Sequence, residues 1–200
     1  MLKRLSLALA ASLALSGAAL AQGAAAPAQS GSYTLEPTHT MVTFGVSHFG
    51  FSDYYGMFPG ATGSLTLDAD HPASSHLEVS VPVTDILTAS PKLTDELKSA
   101  DWLDAAKFPA MTFKSTSIAV TGPTTADVTG DLTIHGVTHP IVLKATFKKA
   151  GVFAMTKKYM IGFAATGSFK RTDFGVSKYA NFGLGDDVDV SISAPFEKGS

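Results

Sequence analysis

The chain has no cysteine, little net charge and no long apolar run after its first 21 residues, and these absences exclude several classes of protein. Without cysteine there is no disulfide framework, thiolate nucleophile, thiolate zinc site or cysteine-ligated iron–sulfur cluster. No later segment supplies the roughly 18 consecutive apolar residues of a membrane-spanning helix. A net charge of −2 gives no basic field for a nucleic-acid backbone. We therefore expect one domain that is stabilised by its own apolar core, with no nucleic-acid partner and no membrane span.

The first 21 residues have the pattern of a secretory signal peptide. Lys3-Arg4 precedes an apolar run from Leu5 to Leu15, and Ala19-Leu20-Ala21 places small residues at a cleavage position. The chain has no N-glycosylation sequon, which favours bacterial export to the periplasm. The sequence thus predicts a signal peptide (1–21), a flexible Ala/Gly/Pro/Gln/Ser tether (22–32) and a folded domain (33–200).

Short runs of alternating apolar and polar residues dominate the domain. This period of two is typical of antiparallel strands with one buried face. In one stretch Leu93, Leu97 and Leu103 fall at helical spacing after Ser90-Pro91, which predicts a helix near residues 93–105. We expect eight or nine strands, and the runs that carry this prediction are 42–46, 65–67, 77–81, 111–120, 128–134, 141–147, 160–169 and 188–196.

Many short strands with one inserted helix predict an all-β, antiparallel, eight-stranded barrel. A two-sheet sandwich is the competing architecture. The interior of such a barrel is either filled by side chains or wide enough for one slender apolar ligand. Periodicity alone favours a solid core over a cavity. The apolar candidates for the inner wall are Phe44, Val46, Phe49, Leu65, Trp102, Phe108, Phe113, Leu132, Ile134 and Phe163.

Motifs for catalysis, metals and cofactors are mostly absent. The chain has no Gly-x-Ser-x-Gly nucleophile elbow and no phosphate-binding loop. His135 and His139 have the spacing of a helical zinc pair, but the intervening Gly136 and the following Pro140 favour a hairpin turn. We expect no metal and no cofactor.

The other histidines do not combine into a metal site either. His39 and His48 are nine residues apart and therefore lie on opposite strand faces under strict alternation. His71 and His76 are interpreted as solvated loop residues.

Arg171 is the most informative polar residue because it follows a predicted strand at one end of the barrel. Its guanidinium can pair with Asp173 or with nearby carbonyls, or bind a phosphate or carboxylate head group at the barrel mouth. The sequence favours the structural role, in which the guanidinium pairs with Asp173 or with nearby carbonyls.

Seven segments follow one another along the domain: Tyr33-Thr34-Leu35, His39–Gly50, the Gly56-Met57-Phe58 turn, Leu97–Asp104, Phe108–Ser115, Gly130–Pro140 and Arg171–Val176. In these segments and in their order, the chain from about Tyr33 to Glu197 resembles the YceI-like family of secreted bacterial proteins. Met57 stands where members of that family often carry a basic residue.

This resemblance implies an extended lipocalin-like barrel with a lipid-binding tunnel, and so reverses the preference for a solid core. It implies a non-catalytic periplasmic protein that sequesters a long isoprenoid chain, such as the tail of a quinone or a polyprenyl phosphate. Arg171 or His48 would recognise the head group weakly. The expected ligand-binding residues are the ten wall candidates above together with His48, Arg171 and Phe174.

Two functions of other classes stay open on the sequence. A periplasmic hydrolase or quinone-modifying enzyme would use His48 with Asp53 or Asp173. An envelope stress or interaction protein would have an incidental cavity and no lipid role. A homodimer, the identity of the lipid and storage versus transport are also left open.

Overall fold

The computed structural model describes residues 27–199. The predicted signal peptide and residues 22–26 of the predicted tether lie outside the described residues. The chain that follows is held against the barrel. The Tyr159 hydroxyl donates to the Pro27 carbonyl at 3.0 Å, and the Tyr33 hydroxyl donates to the Gln29 carbonyl at 2.6 Å. The described part of the predicted tether is therefore fixed to the domain, and its last two residues, Gly31 and Ser32, already belong to the first strand.

Within residues 27–199 the chain forms eleven strands and one α-helix. Each of the eight predicted runs falls inside one strand. The strands are β1 (Gly31–Leu35), β2 (Met41–His48), β3 (Ser52–Phe58), β4 (Thr62–Leu67), β5 (His76–Pro82), β6 (Leu87–Thr88), β7 (Ala110–Gly122), β8 (Thr125–Ile134), β9 (Val137–Val152), β10 (Tyr159–Lys170) and β11 (Asp187–Lys198). The helix α1 spans Pro91–Lys98, and short 3-10 helices span Pro72–Ser74, Arg171–Phe174 and Ala180–Phe182.

The sheet closes on itself. Eight strands form a ring in the order β1-β4-β5-β7-β8-β9-β10-β11, and β11 pairs with β1 to complete it. All pairings are antiparallel. The predicted eight-stranded antiparallel barrel is confirmed, and the sandwich alternative is wrong because a sandwich keeps two separate sheets.

Strand β11 is long enough to serve two partners. Its first half, Val188–Ser193, pairs with β2, whereas Phe196–Lys198 pairs with β1. Strands β1 and β2 are therefore two halves of one bent segment. Beyond β2 the sheet continues through β3 to β6. We call this side, with α1, the helix end, and the opposite side, with the β9–β10 hairpin, the hairpin end.

The bend between β1 and β2 is built around the carboxylate of Glu36. Its oxygens accept hydrogen bonds from the amides of Thr38 at 2.8 Å and His39 at 3.0 Å, and Oε2 lies 2.6 Å from His39 Nδ1. The Glu36 carbonyl accepts from the Thr40 hydroxyl at 2.6 Å, and its amide donates to the Pro195 carbonyl of β11. This network, which we call the Glu36 corner, turns the chain while keeping both halves on β11.

The helix is shorter than the spacing of leucines predicts. It begins where predicted, with the Ser90 hydroxyl accepting from the Leu93 amide, but ends at Lys98 rather than near residue 105. The Ser99 hydroxyl bonds back to the Glu96 carbonyl at 2.7 Å and Ser99 is extended, so the chain leaves the helix there. Residues 99–107 continue as turns that still bury Trp102. Within residues 27–199 no helix has the length and apolarity to cross a membrane.

The segment from His135 to His139 forms the predicted hairpin turn between β8 and β9. His135 and Gly136 occupy the turn with φ of 52° and 77°, the left-handed values of a two-residue hairpin. A Cβ at Gly136 would lie 2.5 Å from Phe108 Cε1. Glycine is therefore required both by the backbone and by the aromatic ring packed over the turn.

The Gly56-Met57-Phe58 segment is a strand rather than a turn. These residues end β3, with Gly56 opposite Phe44 and Phe58 opposite Val42 of β2. A Cβ at Gly56 would lie 2.4 Å from Phe44 Cζ, so the glycine makes room for that ring across the strand pair. The turn prediction was wrong because a glycine in a strand can mark close packing instead of a chain reversal.

Candidate functional site

An apolar cavity of about 570 Å³ runs along the inside of the barrel, from Leu67 at the hairpin end to Trp102 at the helix end. Its wall is the inward face of the strands. Phe44 and Phe163 point into it from the middle of β2 and β10, yet both are only half-buried. Inward aromatic rings keep accessible surface when the opposing walls do not meet. The interior is therefore a cavity and not the solid core that periodicity alone favours.

Three buried apolar clusters support this wall and leave the space between them open. The first lies toward the hairpin end, the second lies at the helix end, and the third forms part of the side wall. Their central members are Tyr33, Leu35 and Phe196; Phe58, Ile86 and Phe174; and Phe113, Val128 and Leu143.

Most residues that the sequence singles out for the site come together here. Twelve of the thirteen line the cavity, namely Phe44, Val46, His48, Phe49, Leu65, Trp102, Phe113, Leu132, Ile134, Phe163, Arg171 and Phe174. Phe108 does not. Its ring stacks edge-on against His135 at 4.9 Å, outside the cavity, with the Lys107 ammonium 5.0 Å from its centroid. Phe108 lies in the turn before β7, where strand alternation no longer decides which way a side chain points.

The polar groups in the wall are already satisfied. Within residues 27–199 the buried polar side chains are those of Thr40, Ser75 and Arg171, and all three line the cavity. The Thr40 hydroxyl donates to the Glu36 carbonyl, and the Ser75 hydroxyl accepts from the Asp68 amide at 3.0 Å. No buried side-chain nitrogen or oxygen of the described residues lacks a partner. The deep wall therefore offers a ligand apolar contact and few free hydrogen-bonding groups.

Exposed residues line the cavity at the helix end. They are His48 and Phe49, at the end of β2 and in the β2–β3 turn, and Tyr179 on the loop before β11. Phe49 and Tyr179 have φ of 56° and 61°, which bulky residues seldom adopt. Such backbone strain costs of order 1–3 kcal/mol per residue and persists only where the surroundings enforce it. The loops thus hold two aromatic rings at the opening.

Trp102 and Lys178 tie the two sides of this opening together. The Trp102 ring lies 6.2 Å from that of Tyr179, and its Nε1 donates to Glu96 Oε1 at 3.2 Å. The Lys178 ammonium lies 2.9 Å from Asp101 Oδ2 and 3.5 Å from Glu96 Oε1. The hydrogen bond to Asp101 raises the pKa of Lys178. The loop of residues 175–186, which we call the mouth loop, is thereby fastened to the helix region.

Arg171 holds the mouth loop in place through its guanidinium. Its Nε donates to the Gly185 carbonyl at 2.7 Å, and its terminal nitrogens donate to the carbonyls of Val176 at 2.8 Å, Lys178 at 2.9 Å and Leu184 at 3.2 Å. Burial lowers the pKa of this guanidinium, while the nearby Asp186 carboxylate raises it. Arginine remains charged under any condition the fold tolerates. Four carbonyls thus accept from four of the five N–H donors, and no pair of donors is left free for a bidentate head group. The structural role is therefore the one the geometry supports.

The residues of the catalytic alternative do not form a catalytic pair. His48 contacts the rings of Phe49 and Tyr54, with centroids 4.9 and 6.4 Å away. No hydrogen bond or ion pair in the described part of the chain joins His48 to Asp53 or Asp173, both of which are exposed. Among residues 27–199 there is also no group of three or more His, Asp or Glu side chains that could hold a metal ion.

Sequence reasoning missed a large part of the wall. Strand β11 contributes Val188, Val190 and Ile192 to the cavity, and β5 contributes Val79 and Val81. Their period-two spacing is the signal that could have identified them, since they alternate with polar residues in runs already predicted as strands. Tyr54 of β3 had no such signal, because that strand was not predicted.

A closed antiparallel barrel around an apolar cavity defines a lipocalin-like barrel protein. The chain belongs to the YceI-like domain family, whose model matches residues 33–196. It is 37% identical over 190 residues to a UPF0312 protein of Pseudomonas savastanoi pv. phaseolicola, covering 94% of this chain and 97% of that protein. The resemblance that the sequence motifs suggest is thus confirmed.

Solved structures share the same fold. Burkholderia cenocepacia BcnA matches with a TM-score of 0.72 at 21% identity, over 80% of this chain and 98% of that chain. A polyisoprenoid binding domain from Saccharophagus degradans matches with a TM-score of 0.62 at 14% identity, over 84% of this chain and 98% of that chain. At these identities the likeness establishes the architecture, and residue roles must come from this chain itself.

Proposed function

We propose that this protein is a non-catalytic periplasmic carrier that holds the chain of an isoprenoid lipid, of the quinone or polyprenyl phosphate type, inside its barrel. The observation that carries the proposal is the continuous apolar cavity of about 570 Å³ whose buried polar groups are already paired. Membership of the YceI-like family and the shared fold of a polyisoprenoid binding domain support the same ligand class. The predicted signal peptide (1–21) supports export.

The size and chemistry of the cavity suit a long slender chain. An apolar cavity of about 150 Å³ already holds a benzene molecule, and the space here is several times larger. Each buried methylene contributes roughly 0.8 kcal/mol, so a few isoprene units outweigh the cost of ordering the chain. A polar head group would lose its hydration inside such a wall and therefore stays at the opening.

The head group accordingly lies near the exposed lining residues of the helix end, His48, Phe49 and Tyr179. Arg171 contributes by holding the mouth loop in place, because four of its five N–H donors are taken by carbonyls. Selectivity therefore depends mainly on the length and width of the chain, and head groups are distinguished weakly.

Blocking the cavity tests this proposal. Ala165 of β10 lines the cavity beside the Phe113–Val128–Leu143 cluster, whereas its neighbour Thr166 faces the outside of the same strand. We expect Ala165→Phe and the milder Ala165→Leu to lower the uptake of a polyprenyl phosphate and of a long-chain quinone, by at least about tenfold for the phenylalanine variant. Native mass spectrometry measures the bound fraction.

Thr166→Phe is the matched control and should bind like the wild type. Unfolding curves establish that each variant is folded before uptake is compared. Wild-type protein that takes up neither lipid, or folded Ala165 variants that bind both lipids as well as the wild type, would contradict a role of the cavity in lipid binding.

A further inference from the structure

The β9–β10 hairpin carries an unusual share of the positive charge. No aspartate or glutamate occurs between Asp131 and Asp173, and this stretch contains six lysines and Arg171, in a chain whose net charge is −2. Both strands of the hairpin lie within it. A segment of one charge sign in an otherwise slightly acidic protein marks a surface with its own electrostatic preference.

The tip of this hairpin, residues 152–158, exposes apolar side chains. Met155 is 83% exposed and Val152 is 64% exposed, and Phe153 lies between them with 42% of its surface accessible. The tip is closed by two backbone hydrogen bonds, from the Phe153 amide to the Lys158 carbonyl and from the Lys157 amide to the Phe153 carbonyl, both 2.8 Å long. These apolar groups are therefore held in water by a defined turn.

Lysines lie on both sides of the exposed apolar residues. A β-bulge opposite Gly162 and Phe163 places the two consecutive lysines Lys148 and Lys149 on the exposed side of β9. Lys157 and Lys158 are the last two residues of the tip, and both are exposed.

The acidic groups nearby are too few to neutralise this charge. Glu197 of β11 forms an ion pair with Lys158, and Asp127 of β8 lies opposite Lys144 of β9. Asp68 and Asp70 lie on the β4–β5 loop, separated from the hairpin by β11 and β1, and Asp68 contacts His71. The hairpin end therefore presents an apolar tip with an excess of positive charge around it.

We propose that this tip docks on an anionic phospholipid bilayer. Val152, Phe153 and Met155 enter the headgroup–acyl boundary while the lysines contact lipid phosphates. Exposed apolar side chains next to lysines bind such surfaces by combining apolar burial with attraction to anionic lipids. A second copy of this chain fits poorly, because a symmetric contact would bring lysines against lysines. Three side chains are also too small an area for a stable protein interface of about 800 Å² per partner.

This surface lies at the opposite end of the barrel from His48, Phe49 and Tyr179, and its role does not depend on what the cavity binds. The experiment uses the full chain and vesicles of phosphatidylcholine alone or mixed with phosphatidylglycerol. A Phe153→Trp variant reports insertion through quenching by brominated lipids, and Phe51→Trp is the matched control. Phe51 is 92% exposed on the β2–β3 turn, at the helix end. Both are compared with the wild type, whose single tryptophan is buried.

We expect quenching at position 153, only with anionic vesicles, and none at position 51. Neutralising Lys148 and Lys157 in Lys148→Gln/Lys157→Gln should weaken vesicle cosedimentation by about fivefold for each lysine, and raised salt should do the same. The Phe153→Ser/Met155→Ser variant should also cosediment more weakly with the anionic vesicles.

Quenching at position 51 without quenching at position 153 would overturn the proposal in favour of docking through the mouth. Vesicle binding that is independent of lipid charge, or unchanged in the lysine variant, would overturn it as well. Self-association lost in Phe153→Ser/Met155→Ser would show that a second copy covers the tip. None of these outcomes bears on lipid uptake by the cavity, which the Ala165 variants test separately.

Discussion

Arg171 shows how one residue can decide the shape of the cavity opening without facing the ligand. Its guanidinium donates to the carbonyls of Val176, Lys178, Leu184 and Gly185, which span most of the mouth loop. A fixed planar fork can serve several acceptors at once, whereas an ammonium has only three donors on a flexible stem. The arginine therefore organises a loop that has little other regular structure.

We expect Arg171→Met to destabilise the protein by about 3 kcal/mol, because it leaves several carbonyls that accepted charge-assisted hydrogen bonds without a donor. Arg171→Lys should recover only part of this loss despite keeping the charge. Urea unfolding at pH 7 gives the free energies, and amide exchange of residues 175–186 should accelerate in both variants. A lysine variant as stable as the wild type would mean that charge alone matters at this position.

The residues of the cavity wall could be predicted wherever a strand fixes their direction. Phe44 and Val46, or Leu132 and Ile134, lie two apart on one strand and so share its inner face. Phe108 was placed wrongly because it precedes Pro109 in a turn. The hydrogen bonds of Arg171 could not be predicted at all, since their acceptors are backbone carbonyls of a loop that has no sequence signature.

At the level of elements, the Glu36 corner makes one bent segment out of β1 and β2. Burial raises the pKa of Glu36, but hydrogen bonds from the side chains and amides of Thr38 and His39 outweigh it and lower the pKa from 4.5 to about 2. A carboxylate with a lowered pKa in the folded state stabilises the fold above pH 4.5, and this contribution is lost as the pH falls from 4.5 to 2.

We expect Glu36→Gln to be less stable than the wild type by about 1–2 kcal/mol at pH 7, after allowance for solvent screening at this surface site. The difference should shrink as the pH falls from 4.5 toward 2, because protonation of the wild-type carboxyl removes its charge. Urea midpoints measured between pH 7 and pH 2 test this, with Asp95→Asn on the exposed face of α1 as control. A difference that does not change with pH would rule out ionisation of Glu36 as the cause.

The elements that could be predicted are those with regular alternation, and those that could not are shaped by tertiary packing. Strand β3 reads Ser-Asp-Tyr-Tyr-Gly-Met-Phe, in which polar residues and glycine hide the period. In β8 Gly130 lies within the strand, and a glycine in a strand can mark a bend, a bulge or a close approach. A Cβ there would lie 2.4 Å from Phe113 Cζ, and a bulge in β7 follows at Ser115–Ser117. Which of these three roles a glycine has can be seen only from its contacts with the neighbouring strand.

For the molecule as a whole, the sequence predicts that a barrel forms but not what fills it. Alternation predicts which side chains face inward, but it does not predict whether opposite walls of the barrel touch. Whether they touch depends on strand number and tilt, which arise from closure through the β1–β11 pairing. The family resemblance, rather than periodicity, pointed to the cavity that the structure contains.

The two ends of the barrel differ in how they are held, and this difference predicts where it opens. The ring closes through backbone hydrogen bonds between β1 and β11 at the hairpin end. At the helix end, β6 is only two residues long and pairs with β3 alone, so residues 99–107 and the mouth loop complete the wall. These two segments are held mainly by short-range backbone hydrogen bonds rather than by strand pairing. Such segments open locally at lower free-energy cost than the interior of a sheet.

We expect amides of residues 99–107 and 177–185 to exchange with solvent at least about a hundredfold faster than those in the middle of β8 to β11. A polyprenyl phosphate should slow exchange at the helix end and leave the hairpin end unchanged, because the chain fills the cavity and its head group sits among the mouth residues. The Ala165→Phe variant should keep the difference in exchange rate between these loops and the strands. Its exchange at the helix end should no longer slow when the polyprenyl phosphate is added. Uniform exchange over both ends, or lipid protection confined to the hairpin end, would place the entrance elsewhere. Hydrogen exchange read by mass spectrometry, with and without lipid, therefore tests the position of the opening and its use by the ligand in one measurement.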